Sequence, residues 1–275
     1  MPTVKVVANP SKGDGMPESV QETVRAHLDH GEACLDKGKY DDAIADYDKA
    51  IALVPNFALA YTNRGLAYER KGAFDRAIAD YTKAIALDPN DAIACSNRGI
   101  VYHKQGEFDR AIADYTKAIA IDPNHANAYD NRGTAYAEKG EVDRAIADYD
   151  KAIALNPNDA AAYTNRGIAY RKKGDYDRAI ADYTEAIALD PNVARAYNNR
   201  GYAYEKKGEV DRAIADYTKA IALDPKYALA YDNRGVAYKN KGDEEQAIAD
   251  FRKALEIDPS DQYAKNNLKR LGVTP

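Results

Sequence analysis

Three side chains near the start of the chain have the types and the spacing of a metal site. His27, His30 and Cys34 stand at positions i, i+3 and i+7, which share one face of an α-helix. Imidazole and thiolate groups so placed could bind zinc or copper. The same face would pack against a neighbouring helix, so these residues could simply fill an interface, and no fourth ligand is evident. The sequence therefore predicts no metal site and no cofactor.

Catalytic motifs are the next chemistry to consider. The sequence contains no glycine-rich phosphate loop, no nucleophile motif and no metalloprotease helix. Carboxylates are plentiful, but the most regular ones are spaced as helix N-caps rather than as acid–base pairs. These are Asp75, Asp109, Asp143, Asp177 and Asp211. We therefore expect a protein that is not an enzyme.

A row of asparagines offers another chemistry, the recognition of a peptide backbone. One asparagine precedes Arg-Gly in six segments that follow one another at a constant interval: Asn63, Asn97, Asn131, Asn165, Asn199 and Asn233. A carboxamide both donates and accepts, so it can bind a peptide group through two hydrogen bonds. Alternatively, each asparagine only caps or bridges groups of the protein close to it. Because most neighbouring positions vary while the asparagine does not, the sequence favours an asparagine ladder for an extended peptide.

The elements that position these residues follow from the same constant period, of which the segment 58–91 is one copy. A period of this length is typical of a stacked array, in which each unit buries its apolar face against its neighbours. In this segment a first helix is expected from Ala58 to Lys71, with Gly72 ending it in the left-handed conformation.

The second helix of this segment should have Asp75 as its N-cap and should end before Pro89. Asn90 is placed to cap the first helix of the next unit. Seven units are predicted within residues 17–261, at 24–57, 58–91, 92–125, 126–159, 160–193, 194–227 and 228–261. Residues 1–16 read as an N-terminal tail, and 262–275 as a polar capping helix and tail.

The pattern resembles the tetratricopeptide repeat (TPR). The residues that carry the resemblance in the reference unit are Tyr61, Gly65, Tyr68, Ala77, Tyr81, Ala84 and Pro89. The resemblance implies an all-α fold, a right-handed superhelical solenoid of helix-turn-helix repeats with a C-terminal capping helix. It also implies that the first helices line a concave groove that binds a protein or peptide partner.

One departure from the family pattern is regular. The residue before the glycine, usually apolar in the family, is arginine in six units, as at Arg64. An aspartate in the second helix, as at Asp80, recurs in step with it. We expect these two residues to form an ion pair, because a guanidinium group close to the buried core needs a carboxylate to compensate its charge. The alternative is that the arginine extends along its stem to water.

Charges along the predicted groove suggest which ligand it prefers. The first unit is acidic, whereas the units from residue 160 onward carry more bases. With the asparagines, the candidate peptide-binding residues are Arg171, Lys172, Arg195, Tyr202, Lys206 and Lys239. The hypothesis is a ligand whose acidic part or C-terminal carboxylate lies near these bases. The alternative is a solvated face without a ligand.

Other classes of partner are disfavoured. A net charge of −5 argues against a nucleic-acid partner. It also argues against RNA binding of the kind seen in pentatricopeptide arrays, which have a longer repeat than this chain and a basic binding face. No apolar stretch or leader suggests membrane insertion or secretion, and an unpaired Cys34 and Cys95 fit a reducing compartment, so a cytoplasmic location is expected. The competing role is a structural scaffold that self-associates through its end units, convex face or N-terminal tail.

Overall fold

The computed structural model describes residues 17–274 of the chain. The predicted tail 1–16 therefore lies outside the described residues. The chain divides into two compact units, Met1–Lys139 and Gly140–Pro275, each of which contains several of the repeats predicted above. Where the structure is described, the first unit and the second unit mean these two halves of the chain. Within each unit, every helix packs against the next helix in sequence.

The described residues form fifteen α-helices and no strand. The first unit contains α1 Glu18–Asp36, α2 Tyr40–Leu53, α3 Ala58–Lys71, α4 Phe74–Leu87, α5 Ala92–Lys104, α6 Phe108–Ile121 and α7 Ala126–Glu138. The second contains α8 Val142–Leu155, α9 Ala160–Lys172, α10 Tyr176–Leu189, α11 Ala194–Lys206, α12 Val210–Leu223, α13 Ala228–Lys241, α14 Glu244–Ile257 and α15 Gln262–Arg270. The predicted all-α class of consecutive helix pairs with a short last helix is confirmed.

The turns inside the helix pairs depend on glycine, as predicted. Gly72 follows α3 with φ of 82°, a left-handed conformation that is strained for residues with a Cβ atom. The next amide closes the turn, since Ala73 N donates to Tyr68 O at 2.8 Å. The helix end is thereby fixed at the predicted residue.

The predicted N-caps are wrong. The helix α4 begins at Phe74, one residue before Asp75, and no side chain caps it. The next first helix is capped by Asp91 rather than Asn90, because Asp91 Oδ1 accepts from Ala94 N at 2.8 Å. The aspartates at the Asp75 position instead serve neighbouring pairs: Asp109 accepts from Lys139 at 2.6 Å and Asp177 from Lys207 at 2.6 Å.

The centre of a helix pair is a contact between a small and a large residue. Gly201 of α11 lies against Tyr217 of α12, a fully buried ring. A Cβ atom added to Gly201 would lie 2.8 Å from Tyr217 Cε1 and 3.2 Å from Ala213 O. The glycine therefore sets how closely the two helices approach.

Alanine in place of Gly201 should destabilise the second unit by about 1–3 kcal/mol through overpacking, although helix propensity alone favours alanine by about 0.5–1 kcal/mol. Chemical denaturation of the G201A variant measures the difference. Introducing the same substitution beside Tyr217→Leu, which gives the new methyl group room, should cost little. An equal loss in both backgrounds would show that the glycine–tyrosine contact is not the cause.

The predicted arginine–aspartate pairing is confirmed in both units. Arg64 donates from Nε and Nη2 to Asp80 Oδ2 and Oδ1 at 2.8 and 2.7 Å. The same two-bond geometry joins Arg98 to Asp114, Arg166 to Asp182, Arg200 to Asp216 and Arg234 to Asp250. Such bidentate pairs between planar groups are both strong and directional.

Each of these arginines also reaches the preceding helix pair. The Nη1 atom of Arg98 donates to Thr82 Oγ1 at 2.9 Å, and that of Arg166 donates to Asp150 Oδ1 at 2.7 Å. One guanidinium group thus joins three helices, two of its own pair and one of the pair before. The arginine that departs from the family pattern is therefore a packing device between repeats.

Candidate functional site

The inner side of each unit is formed by the first helices of the pairs. These helices approach one another directly: α3 contacts α5 and α5 contacts α7, while α9 contacts α11 and α11 contacts α13. Within residues 17–274 the second helices of neighbouring pairs do not pack together to that extent. Each unit therefore curves with its first helices inward.

Every first helix from α3 to α13 presents one comparable stripe of four residues. Positions i, i+4, i+7 and i+11 share a helix face, and the asparagine of the predicted ladder is the second of them. The stripes are Leu59, Asn63, Leu66 and Arg70 on α3; Ile93, Asn97, Ile100 and Lys104 on α5; Asn127, Asn131, Thr134 and Glu138 on α7; Ala161, Asn165, Ile168 and Lys172 on α9; Arg195, Asn199, Tyr202 and Lys206 on α11; and Leu229, Asn233, Val236 and Asn240 on α13. We call this set the inner stripe.

The asparagines of the inner stripe lie between neighbouring first helices rather than fully in solvent. Five of the six are half-buried, and Asn199 is only 9% exposed. Asn233 Nδ2 donates to Asn198 Oδ1 of the preceding pair at 3.0 Å. Asn199 Nδ2, in contrast, is buried and finds no acceptor among residues 17–274. One asparagine thus bridges repeats locally, while another holds an unsatisfied donor.

Asn198 is a residue that sequence reasoning missed. It lies 35 positions before Asn233, at a place where the period carries Thr62, Ser96 and Asp232 in other units. Because residue type varies there, the period alone gives no signal. Only the spacing of about one period between two amides could have indicated the bond.

Two of the predicted bases meet at one aromatic ring. The Arg171 Cζ atom lies 5.1 Å from the centroid of the Tyr202 ring, and Lys206 Nζ lies 5.0 Å from it. Both distances are within the range of cation–π attraction. Arg195, on the same face of α11, is exposed. The second unit therefore gathers Arg171, Arg195 and Lys206 beside Tyr202 and Asn199.

None of these three bases has a counter-ion in the part of the chain that the structure describes. Their equivalents in the first unit differ. Lys104, three periods before Lys206, donates to Glu69 at 2.8 Å, and Glu69 stands three periods before Arg171. An ion pair of the first unit is thus replaced by two cations in the second. The two cations leave the surroundings of the Tyr202 ring positively charged.

The other predicted bases have different surroundings. Lys239 Nζ donates to Asn267 Oδ1 of α15 at 3.5 Å, and Lys172 is exposed at the end of α9. The acidic residues nearby form no ion pairs with these cations among the described residues. Glu205 accepts from the Tyr217 hydroxyl at 3.0 Å, and Asp232 is buried.

The remaining sequence expectations concern cysteines and membranes. Cys34 and Cys95 are both buried and form no disulfide, as predicted. Among the described helices, none has the length and apolar character required to cross a bilayer.

Comparison with family models gives tetratricopeptide repeat matches over most of the chain. A tetratricopeptide repeat model matches residues 58–91, 92–125 and 228–261, and two further ones match 114–147 and 164–228. A model described as TPR repeat matches 31–72 and 133–174. Together the matches extend from residue 31 to residue 261. No curated protein matches the chain.

Several solved structures are similar. MamA is 35% identical to this chain, with a TM-score of 0.56, and the match covers 58% of this chain and 94% of the MamA chain. YrrB, described as a TPR protein with an unusual peptide-binding site, is 28% identical over 69% of this chain and 97% of its own, with a TM-score of 0.59. A tetratricopeptide repeat protein from Parabacteroides merdae is 25% identical over 90% of this chain and 98% of its own, with a TM-score of 0.66.

Proposed function

The chain belongs to the tetratricopeptide repeat family, and on that basis we propose that it is a non-enzymatic scaffold that binds an extended peptide or protein segment along its inner stripe. The fold is that of protein-interaction scaffolds in general. The finer proposal assigns the ligand an acidic side chain or a C-terminal carboxylate, bound by the second unit. The cations around Tyr202 carry it.

The local chemistry supports this ligand class. Two cations held against one ring form a site for a carboxylate, since neither is neutralised by the protein itself. The site is preformed, because Arg171 and Lys206 already lie about 5 Å from the Tyr202 ring, so little side-chain ordering remains to oppose binding. A carboxylate of the ligand would accept from both cations, as Glu69 accepts from Lys104 in the first unit.

The amides and apolar residues supply the rest of the recognition. The half-buried asparagines of the inner stripe offer amides that can bind a peptide backbone. The Asn199 donor is unsatisfied but buried, so it does not contribute to this surface. Ile168 on α9 and Leu229 on α13 offer apolar contacts on either side, and Leu229 is 51% exposed. This combination fits an extended segment. The backbone of the segment would bind the amides, and its side chains would contact the inner-stripe positions that differ from repeat to repeat.

The relatives support the same role. YrrB, which shares 28% identity with this chain, is described as having an unusual peptide-binding site. A likeness over 69% of the chain makes peptide binding the first function to test. The asparagine ladder, taken within each unit, remains the broader form of the proposal, and Asn233 is a member that already has a protein partner.

The decisive test is Arg171→Glu. This change recreates in the second unit the glutamate–lysine pair of Glu69 and Lys104, so the fold should persist while Lys206 is neutralised. We expect the affinity for peptides with acidic side chains or a free C-terminal carboxylate to fall about tenfold or more. Fluorescence anisotropy with a charge-scanned peptide set measures the loss.

The control carries the same charge change on the exposed face of α12. Lys219→Glu should leave the affinity within about twofold, because Lys219 is exposed on a second helix and its charge acts only through a field that salt screens. Equal losses in both variants would mean that net charge, not the cations around Tyr202, governs binding. A native chain without any preference for acidic peptides would overturn the proposal. Light scattering in the same series distinguishes the competing role, since concentration-dependent assembly without peptide binding would identify a self-associating scaffold.

A further inference from the structure

The first helix pair lacks the arginine that joins helices in the later pairs. His30 stands at the place of Arg64, and Cys34 at the place of Tyr68. His27 stands at the place of Tyr61, a tyrosine in five of the six later units. The aspartate of the second helix is retained as Asp46. The cation is therefore lost together with both of the side chains beside it, while the anion stays.

In the later pairs the lost group occupies a defined space. The Arg64 guanidinium pairs with Asp80, and its Cζ atom lies 5.4 Å and 5.9 Å from the centroids of the Tyr61 and Tyr68 rings. Asp80 is buried, so the guanidinium supplies the charge that a buried carboxylate requires. The first pair needs a different cation in the same space.

The residues that replace this set converge on Asp46 of α2. His27 Nδ1 lies 3.0 Å from Asp46 Oδ1, and His30 Nδ1 contacts Asp46 Oδ2. Cys34 Sγ lies 3.9 Å from both ring nitrogens of His30. Asp46 is the fourth group that the sequence did not reveal, although the interval from His30 to Asp46 equals that from Arg64 to Asp80.

The distances suit one small ion. Single ligand atoms of His30, Cys34 and Asp46 all lie within 4.8 Å of one another. Bond lengths of about 2.0–2.3 Å place the ligand atoms of a tetrahedral zinc ion roughly 3.3–3.8 Å apart, so small side-chain rotations suffice. The His30 side chain is 66% exposed, which gives an ion access from solvent, whereas Asp46 and Cys34 are buried.

The surroundings of Asp46 also fit a cation site. The carboxylate is buried, and nitrogen atoms of His27, His30 and Lys49 all lie within hydrogen-bonding distance of its oxygens. Lys49 Nζ, at 3.3 Å, belongs to a side chain that is 60% exposed and can turn toward solvent.

We propose that His30, Cys34 and Asp46 bind a divalent transition-metal ion of the zinc type, with His27 as the positioning residue that holds the Asp46 carboxylate. A thiolate and an imidazole favour Zn²⁺ and Co²⁺ over Mg²⁺ and Ca²⁺. Binding releases the thiol proton of Cys34 to solvent. The ion then joins α1 to α2 in the first pair, as a guanidinium joins the two helices in later pairs. This inference is independent of the peptide-binding proposal.

The test uses Co²⁺ as a spectroscopic probe of the full chain. A Cys95→Ala background leaves Cys34 as the sole thiol. We expect a thiolate-to-cobalt charge-transfer band that saturates with one equivalent of Co²⁺, and that Zn²⁺ displaces. Cys34→Ser should abolish the band. His27→Phe should retain the band but weaken the affinity about tenfold or more, as loss of an outer partner does.

A second variant excludes a folding defect. The triple variant His27→Tyr/His30→Arg/Cys34→Tyr gives the first pair the residues that the later pairs carry, so it should fold and yet bind no metal. Zn²⁺ should raise the unfolding temperature of the native chain and leave that of the triple variant unchanged. No band in the native chain, or equal Co²⁺ binding by the triple variant, would overturn the proposal.

Discussion

Alanine in place of Asp216 is expected to lower the free energy of unfolding of the second unit by about 3–5 kcal/mol, the cost of leaving one charge of a buried pair without its partner. Arg200 donates to both oxygens of Asp216, at 2.7 and 2.8 Å. The side chains of Arg200 and Asp216 are only 17% and 10% exposed, so water replaces the lost carboxylate poorly. Urea denaturation followed by circular dichroism measures the loss.

A control exists on the same helix. Asp211 of α12 pairs with Lys241 at 2.7 Å, but both side chains are more than half exposed. Asp211→Ala should cost less than about 1 kcal/mol, since exposed ion pairs contribute little. Similar losses at positions 211 and 216 would contradict the view that burial makes the difference. The pair Arg200→Met/Asp216→Leu, which removes both charges, should recover much of the stability.

Changing Asp232 to asparagine should stabilise the last repeat above neutral pH. Asp232 of α13 is 2% exposed and shares a hydrogen bond with Asp261, the N-cap of α15. Burial and the hydrogen bond to Asp261 raise the pKa of Asp232 to about 8. Its protonated carboxyl group acts as the donor to Asp261, much as the Thr62 hydroxyl donates to Asp91 at 3.0 Å in the second repeat.

The sign of the pH dependence follows from the raised pKa. An aspartate whose pKa is near 3.8 when unfolded and about 8 when folded favours the folded state most at low pH. That contribution is lost progressively as the pH rises from about 4 to about 8. The pKa of Asp261 is lowered, so its own contribution is lost only as the pH falls below the usual aspartate range. The Asp232 effect therefore dominates between these limits.

An amide at position 232 donates to Asp261 at every pH. We expect Asp232→Asn to raise the free energy of unfolding at pH 8.5 by about 3 kcal/mol, roughly half of what about 1.4 kcal/mol per pKa unit implies for the full shift. Hydrogen exchange of the α15 amides across pH 5–9 measures the effect locally. Glu245→Gln, the same charge change on exposed α14, should alter neither the stability nor its slope. A native chain whose α15 is equally stable across this range would refute the shared proton.

The elements that repeat in register were predictable from the sequence. The interval from Arg64 to Asp80 recurs in every later unit of the constant period, and six copies of that spacing make a chance arrangement untenable. The end of α3 at Lys71 was equally clear, because Gly72 alone can take the left-handed conformation without strain. In both cases one residue type meets one geometric requirement.

The N-caps were not predictable in the same way. The turn after Gly72 closes through Ala73 N, which starts α4 at once and carries Asp75 past the cap position. The asparagine ladder met a similar limit. Whether an amide such as Asn199 or Asn233 finds a partner depends on the residue that a neighbouring helix brings, and that residue varies from unit to unit. The pKa of Asp232 likewise depends on an acid that the last helix brings beside it.

The three-helix reach of each arginine has a bearing on how such a chain changes length in evolution. The Nη1 atom of Arg166 is received by Asp150, and that of Arg200 by Thr184, two acceptors at the same place in successive periods. Removing or copying one whole period therefore presents every remaining guanidinium with an equivalent oxygen. Duplication can lengthen this protein without any junction having to be reinvented.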